Sequence, residues 1–171
     1  MTRTIPGTSP ATEADLEALR DQLGRLPRGV VGIAARCACG RPTVVATAPR
    51  LEDSSPFPTT FYLTHPRAVK ACSTLEAERL MDEYNRALRE DRALAQAYAL
   101  AHEDYLARRG LLGEVPEIAG VSAGGMPKRV KCLHALVGHA LAAGGGVNPI
   151  GDMALAEMAR RGLWSPARCS C

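Results

Sequence analysis

Residues 122–152 read SAGGMPKRVKCLHALVGHALAAGGGVNPIGD, and the punctuation of this stretch decides how the chain is parsed. Gly124 and Gly125 can take positive φ and so allow a tight turn. Pro127 suits the first position of a helix, where its missing N–H is no loss. A helix over 126–143 is therefore expected. Its apolar stripe is Leu133, Leu136, Val137 and Ala140, and Gly144 to Gly146 stop it. The plain reading is a capped core helix with ordinary buried Cys and His. The functional reading adds an anion site, because helix N-terminal amides and their partial positive charge attract anions. Gly124, Gly125, Lys128, Arg129 and Lys131 would line it. Cys132 and His139 lie two turns apart, on the order of 10 Å along the axis, which is far for one zinc ion.

Composition sets the frame around this helix. At 171 residues the chain is long enough for one domain with a real core, and its 46% hydrophobic share is in the globular range. Aromatic residues make up only 4%, so Ala, Leu and Val must carry the core, and no aromatic platform for stacking bases is expected. The net charge of +3 gives no case for nucleic-acid binding. No run of about 18 apolar residues exists, so no membrane span is expected. The start, MTRTIPGTSPATEAD, has no apolar core of a signal peptide, which points to the cytoplasm. Six cysteines in such a chain suggest metal or free thiols more than disulfides.

Taken in order, residues 1–11 are polar with two prolines and are expected to be disordered. A single globular domain then runs over 12–164, and 165–171 is a flexible tail. Thr12 and Asp15 form an N-cap pair ahead of Leu16, Leu19 and Leu23. Val30 to Ala34 and Thr43 to Thr47 read as strands joined by a turn bearing Cys37 and Cys39. Residues 59–63 (TTFYL) read as a third strand ending at His65-Pro66. Pro66 starts a short helix over Val69 and Cys72. Ser73 and Glu76 read as a capping box for a helix reaching Glu90, and a second helix over 92–109 completes a helical hairpin. Within it, AHEDYL at 101–106 has Leu106 where a zinc protease motif requires a second His, so His102 and Glu103 read as a solvated or structural pair. Asp152 reads as the N-cap of a last helix. The expected fold class is α+β: a small antiparallel sheet of about three strands, packed with the hairpin and further helices.

The metal-binding reading gathers Cys37, Cys39, His65 and Cys132. Zinc takes about four Cys, His or carboxylate ligands, and a cysteine-bearing turn between two strands makes a knuckle. Cys37 and Cys39 are separated by one residue rather than the two of most zinc ribbons. An iron–sulfur cluster is the alternative cofactor, given enough thiolates. Four ligands would close the site for a binding or structural role. Three would leave room for water, as in a metal-dependent hydrolase acting on a phosphorylated or other anionic substrate, with His134 or His139 as general base. Cys169 and Cys171 read as a loose terminal pair.

Five motifs carry a resemblance. R-C-x-x-G-x-P at 36–42, P-F-P-T-x-x-Y-L-T-H-P at 56–66, A-H-E-x-Y-L at 101–106, the run at 122–134 and G-x-N-P-x-G-D at 146–152 resemble a bacterial family, domain of unknown function 501. The resemblance implies no settled activity. It implies a protein partner in a cell-division or polyphosphate context, since similar members lie beside a septum-formation protein and an exopolyphosphatase. In the family pattern the position of His65 also holds Cys, which implies a ligand role. The position of Cys39 is often another residue, which narrows the implied trio to Cys37, His65 and Cys132, with His134 or His139 as fourth.

Overall fold

Thr12 opens the first helix, α1 (Glu13–Leu23), through a reciprocal cap: its hydroxyl accepts from Asp15 N–H while the Asp15 carboxylate accepts from Thr12 N–H. The protein is described by a computed structural model over residues 4–171. β1 (Val30–Arg36), β2 (Pro42–Thr47) and β3 (Phe61–Leu63) form one antiparallel sheet in that order. Ile33 pairs with Val45, and Val44 with Leu63. Side chains alternate across a sheet. Val45 and Ile33 therefore face Leu19 of α1, whereas Val44, Ala46, Phe61 and Leu63 enter the main core on the other face. β2 is buried at all six positions because both faces are covered.

Five helices follow: α2 (Pro66–Ala77), α3 (Leu80–Glu90), α4 (Arg92–Gly110), α5 (Leu133–Ala143) and α6 (Pro149–Arg160). The fold class is α+β, as the sequence predicts. α5 lies directly on the sheet: a Cβ on Gly138 would stand 2.8 Å from the Phe61 carbonyl oxygen, so only glycine permits that approach. None of the described helices is long and apolar enough to cross a membrane.

Several local expectations need correction. The helix expected over 126–143 begins only at Leu133. Residues 124–128 form turns and 129–132 an irregular segment instead, with Gly124 and Gly125 at positive φ as expected and a cis bond before Pro127. Ser73 does not start a helix. It lies inside α2, where its hydroxyl donates to Val69 C=O, and α3 begins after Arg79 in a left-handed conformation. Asn148, not Asp152, caps α6, because its side chain accepts from Gly151 N–H and Pro149 takes the first helical position. Asp152 instead accepts from Gly146 N–H. Of the stretch 1–11 expected to be disordered, residues 1–3 lie outside the described residues. Beyond them Ile5 is buried, and Ser9 exchanges backbone hydrogen bonds with Ile33. The tail is packed as well: Trp164 is buried, and Ala38 N–H donates to Pro166 C=O at 2.8 Å.

Candidate metal centres

The tail contact at Ala38 brings Cys169 and Cys171 onto the β1–β2 turn. Cys37 follows the end of β1, and the turn after it closes by Gly40 N–H to Cys37 C=O and Cys37 N–H to Arg41 C=O. His65 stands between β3 and α2, at the α2 N-cap, 3% exposed and against the Trp164 ring at 5.4 Å. One donor atom each from Cys37, His65, Cys169 and Cys171 lies within 4.8 Å of all the others, so the group could hold a metal ion. His65 Nε2 is 3.3 Å from Cys169 Sγ and 3.5 Å from Cys171 Sγ. Cys37 Sγ is 3.3 Å from Cys171 Sγ, and Cys169 Sγ is 3.4 Å from it. Burial, then the Arg67 and Arg41 charges, push the His65 imidazole below its ordinary value, which favours the neutral form that binds metals. A cavity of about 300 Å³ opens beside His65 and Cys171, flanked by Arg41, Arg67 and Asp21.

Cys39 is the fifth member of this cluster. Its sulfur is 2.9 Å from Cys37 Sγ and is bonded to Cys171 as a disulfide spanning 132 residues of sequence. Cys171 can serve that disulfide or a metal, because a ligand sulfur must be a thiolate. The disulfide also departs from the expectation of metal-bound or free thiols rather than disulfides.

The expected quartet is thus divided. Cys37, Cys39 and His65 meet, but Cys132 lies in a different cluster with Glu76 and His134. The segment before Cys132 is pinned by Asn85, which accepts from Val130 N–H and donates to Val130 C=O, and by Tyr98, whose hydroxyl donates to Arg129 C=O. Cys132 is then the N-cap residue of α5, and Glu76, from the last turn of α2, accepts from Leu133 N–H at 2.7 Å. His134 Nδ1 is 3.2 Å from Glu76 Oε1 and 4.0 Å from Cys132 Sγ. His134 holds the Cys132 thiol below its ordinary value, and Cys132, ahead of Glu76, holds His134 above its own.

The other candidate residues have different surroundings. His139 is fully buried: Asn148 Nδ2 donates to its Nδ1 at 3.1 Å, and its Nε2 donates to Asp104 at 2.8 Å. Both nitrogens are occupied, so this side chain ties α4, α5 and α6 together rather than facing a substrate. His102 is likewise buried, with Nδ1 2.7 Å from the Ser122 hydroxyl, while Glu103 is 73% exposed; the pair is structural at the histidine and solvated at the carboxylate. Lys128, Arg129 and Lys131 are all exposed at the surface. The amides beside them bond to Gly124 and Gly125 carbonyls, and no helix N-terminus points from 125–128. The geometry that motivated an anion site at Gly124 and Gly125 is therefore not formed there.

Sequence reasoning misses Glu76 as a member of a site and sets Cys169 and Cys171 aside. One signal exists for the latter: Cys169-x-Cys171 repeats the spacing of Cys37-x-Cys39. No curated protein and no solved structure matches the chain. A family match runs from residue 33 to 156, containing Cys37, Cys39, His65, Glu76, Cys132 and His134 and stopping short of Cys169 and Cys171. The chain belongs to that family, which is described as protein of unknown function (DUF501).

Proposed function

We propose that this is a cytoplasmic zinc-binding protein in which the metal has a structural role, joining the C-terminal segment to the sheet. The observation that carries the reading is the convergence of Cys37, His65, Cys169 and Cys171 within 4.8 Å. A zinc ion with Zn–S near 2.3 Å sets tetrahedral S···S edges of about 3.8 Å and S···N edges of about 3.6 Å. The edges of 3.3 to 3.5 Å quoted above fall within about half an ångström of these values. An iron–sulfur cluster would hold its cysteines further apart, because irons and sulfides lie between them, so the spacing favours a single ion.

Binding requires the Cys39–Cys171 disulfide to open. Two electrons and two protons restore both thiols, supplied together by a dithiol that becomes a disulfide, or by a phosphine that becomes its oxide with water giving the oxygen and the protons, and zinc displaces the thiol protons on binding. The reducing cytoplasm supplies those conditions. Four protein donors leave no position for a water nucleophile, which favours structure over hydrolysis at this centre.

The test is metal analysis of protein purified under reducing conditions without chelator, with X-ray absorption at the zinc edge. The expected result is bound zinc with a sulfur-rich shell near 2.3 Å that is lost in Cys169→Ser. Iron with acid-labile sulfide, or no metal at all, would overturn the zinc reading.

A further inference from the structure

Three groups that all offer electron pairs come together at the other end of α2. Glu76 offers a carboxylate, Cys132 a sulfur and His134 its Nδ1, all within 4.8 Å of one another. The hydrogen bonding around His134 fixes which nitrogen is free. Ser73 has one hydroxyl proton and donates it to Val69 C=O at 3.1 Å. Its oxygen is therefore the acceptor facing His134 Nε2 at 3.2 Å, which places the ring proton on Nε2. Nδ1 then carries a lone pair aimed at the Glu76 carboxylate and the Cys132 sulfur. With Cys132 as a thiolate, these lone pairs repel unless a positive centre lies between them; as a thiol, Cys132 has one proton, which serves one neighbour. A proton on Nδ1 satisfies only one of the two acceptors, whereas a metal ion satisfies all three. A hydrogen bond from a metal-bound histidine's other nitrogen is also the usual support of such a ligand.

We propose that Glu76, Cys132 and His134 form a second metal site, separate from the Cys37 cluster, which takes a zinc-class divalent cation on three protein donors and leaves its fourth position to water. The distances agree with tetrahedral coordination. Zinc sets N···O edges of about 3.4 Å and S···N edges of about 3.6 Å. The corresponding separations are 3.2 Å and 4.0 Å. The mixed sulfur, nitrogen and oxygen set suits zinc or cobalt better than magnesium or calcium, which take oxygen. Solvent reaches the site: the His134 side chain is 29% exposed and that of Glu76 24%. This separates it from the closed cluster at Cys37, since an open fourth position is what catalytic zinc sites keep and structural ones fill. Two of the donors are held by contacts that do not depend on the metal, Glu76 by Leu133 N–H and His134 by Ser73, and Cys132 is placed by its backbone position at the α5 N-cap. The site is therefore preformed.

The experiment is equilibrium dialysis of the reduced full-length protein against cobalt(II) or zinc(II), with bound metal counted in parallel variants. Wild type should hold two equivalents. Cys132→Ser and His134→Ala should each hold one, and Cys169→Ser should keep the equivalent assigned here. Ser73→Ala should weaken the second equivalent by roughly 10–100-fold, as loss of an outer hydrogen bond does. Glu76→Gln, which retains an oxygen acceptor for Leu133 N–H, covers the case in which Cys132→Ser fails to fold, and it too should lose one equivalent. Equal metal in wild type, Glu76→Gln and His134→Ala overturns the proposal and leaves a protonated His134 as the positive centre. Loss of an equivalent in His134→Ala but not in Cys169→Ser keeps this site while overturning the one at Cys37.

Discussion

The two cysteine–histidine clusters are assembled in different ways. Cys37, His65, Cys169 and Cys171 come from a strand end, a helix N-cap and the C-terminal segment. They depend on a tail returning across the sheet, held by Ala38 to Pro166 and by Trp164 against His65. Glu76, Cys132 and His134 come from the end of one helix and the start of another, and Glu76 itself caps the second helix. The first cluster is a joint that needs a covalent bond or a metal to close. The second has its donors brought together by core packing, so their positions do not depend on either. Removing the closing group should therefore be felt at the first and hardly at the second.

The largest expected effect tests that difference directly. If free zinc stands at a thousand times the dissociation constant, binding stabilises the fold by about 4 kcal/mol. At roughly 2–4 °C per kcal/mol for a domain of this size, chelating the reduced protein should lower Tm by about 10 °C. Amide hydrogen exchange should rise over 37–41 and 163–171 while 73–76 and 133–137 stay protected. A uniform rise across both regions, or none, would break the comparison.

A smaller but still large effect is expected at His139, which belongs to neither cluster. His139→Leu leaves Asn148 Nδ2 without its nitrogen acceptor and Asp104 with only Arg108, so a loss of about 2–4 kcal/mol is expected. Metal content should not change. pH gives a second check. Burial, opposed by Asp104, keeps the folded His139 pKa below its ordinary value. The unfolded chain then binds a proton that the folded one refuses. The stability in question is present above about pH 6.5 and is lost as pH falls from there towards the folded value. Urea unfolding of His139→Leu should show a flatter profile below about pH 6.5 than wild type.

How far the sequence discloses these regions follows from the range of the forces involved. β1, β2 and α1 are legible because short runs of strand-forming residues and the Thr12–Asp15 cap are local signals, and the structure forms all three. The start of α5 is not, because Gly124, Gly125 and Pro127 serve equally in a helix entry and in the turn observed; Asn85 and Tyr98, far away in sequence, hold that turn. Glu76 shows the same limit. Its distance from Ser73 fits a capping box, but the N–H it accepts belongs to Leu133, 57 residues on. Cys37, Cys39 and His65 are legible as a group because a hairpin and a neighbouring strand end bring them together. Only residue type groups Cys132 with them. Cys169 and Cys171 are concealed by a tail whose order comes from long-range contacts at Ala38 and His65.

The smallest expected effect concerns Asp15, which braces the first cluster from outside and has no counterpart at the second. Its carboxylate accepts from Arg36 Nη1 at 2.6 Å and Nη2 at 2.9 Å, and from Thr12 N–H at 2.9 Å. Arg36 Nη1 also donates to Gly40 C=O at 3.1 Å, so the pair ties α1 to the turn that carries Cys37 and Cys39. The Arg36 hydrogen bonds, with help from Thr12, hold the Asp15 carboxyl well below the usual carboxylate range. A depressed folded pKa gives stability that is complete above the unfolded value of about 3.9 and is lost as pH falls towards the folded one. Breaking a fully buried pair would cost about 3–5 kcal/mol. Here the Asp15 side chain is 7% exposed but that of Arg36 is 34% exposed, and water screens the pair. Asp15→Asn should therefore cost about 1–2 kcal/mol at neutral pH. The gap between its unfolding free energy and that of wild type should narrow as pH falls below about 3.9 and close only towards the folded value, because a protonated aspartic acid and the asparagine amide are both neutral and nearly the same size. Exchange at Gly40 N–H should quicken, and that at Leu133 N–H should not. A constant gap between the two proteins at every pH would show that Asp15 acts through packing rather than charge.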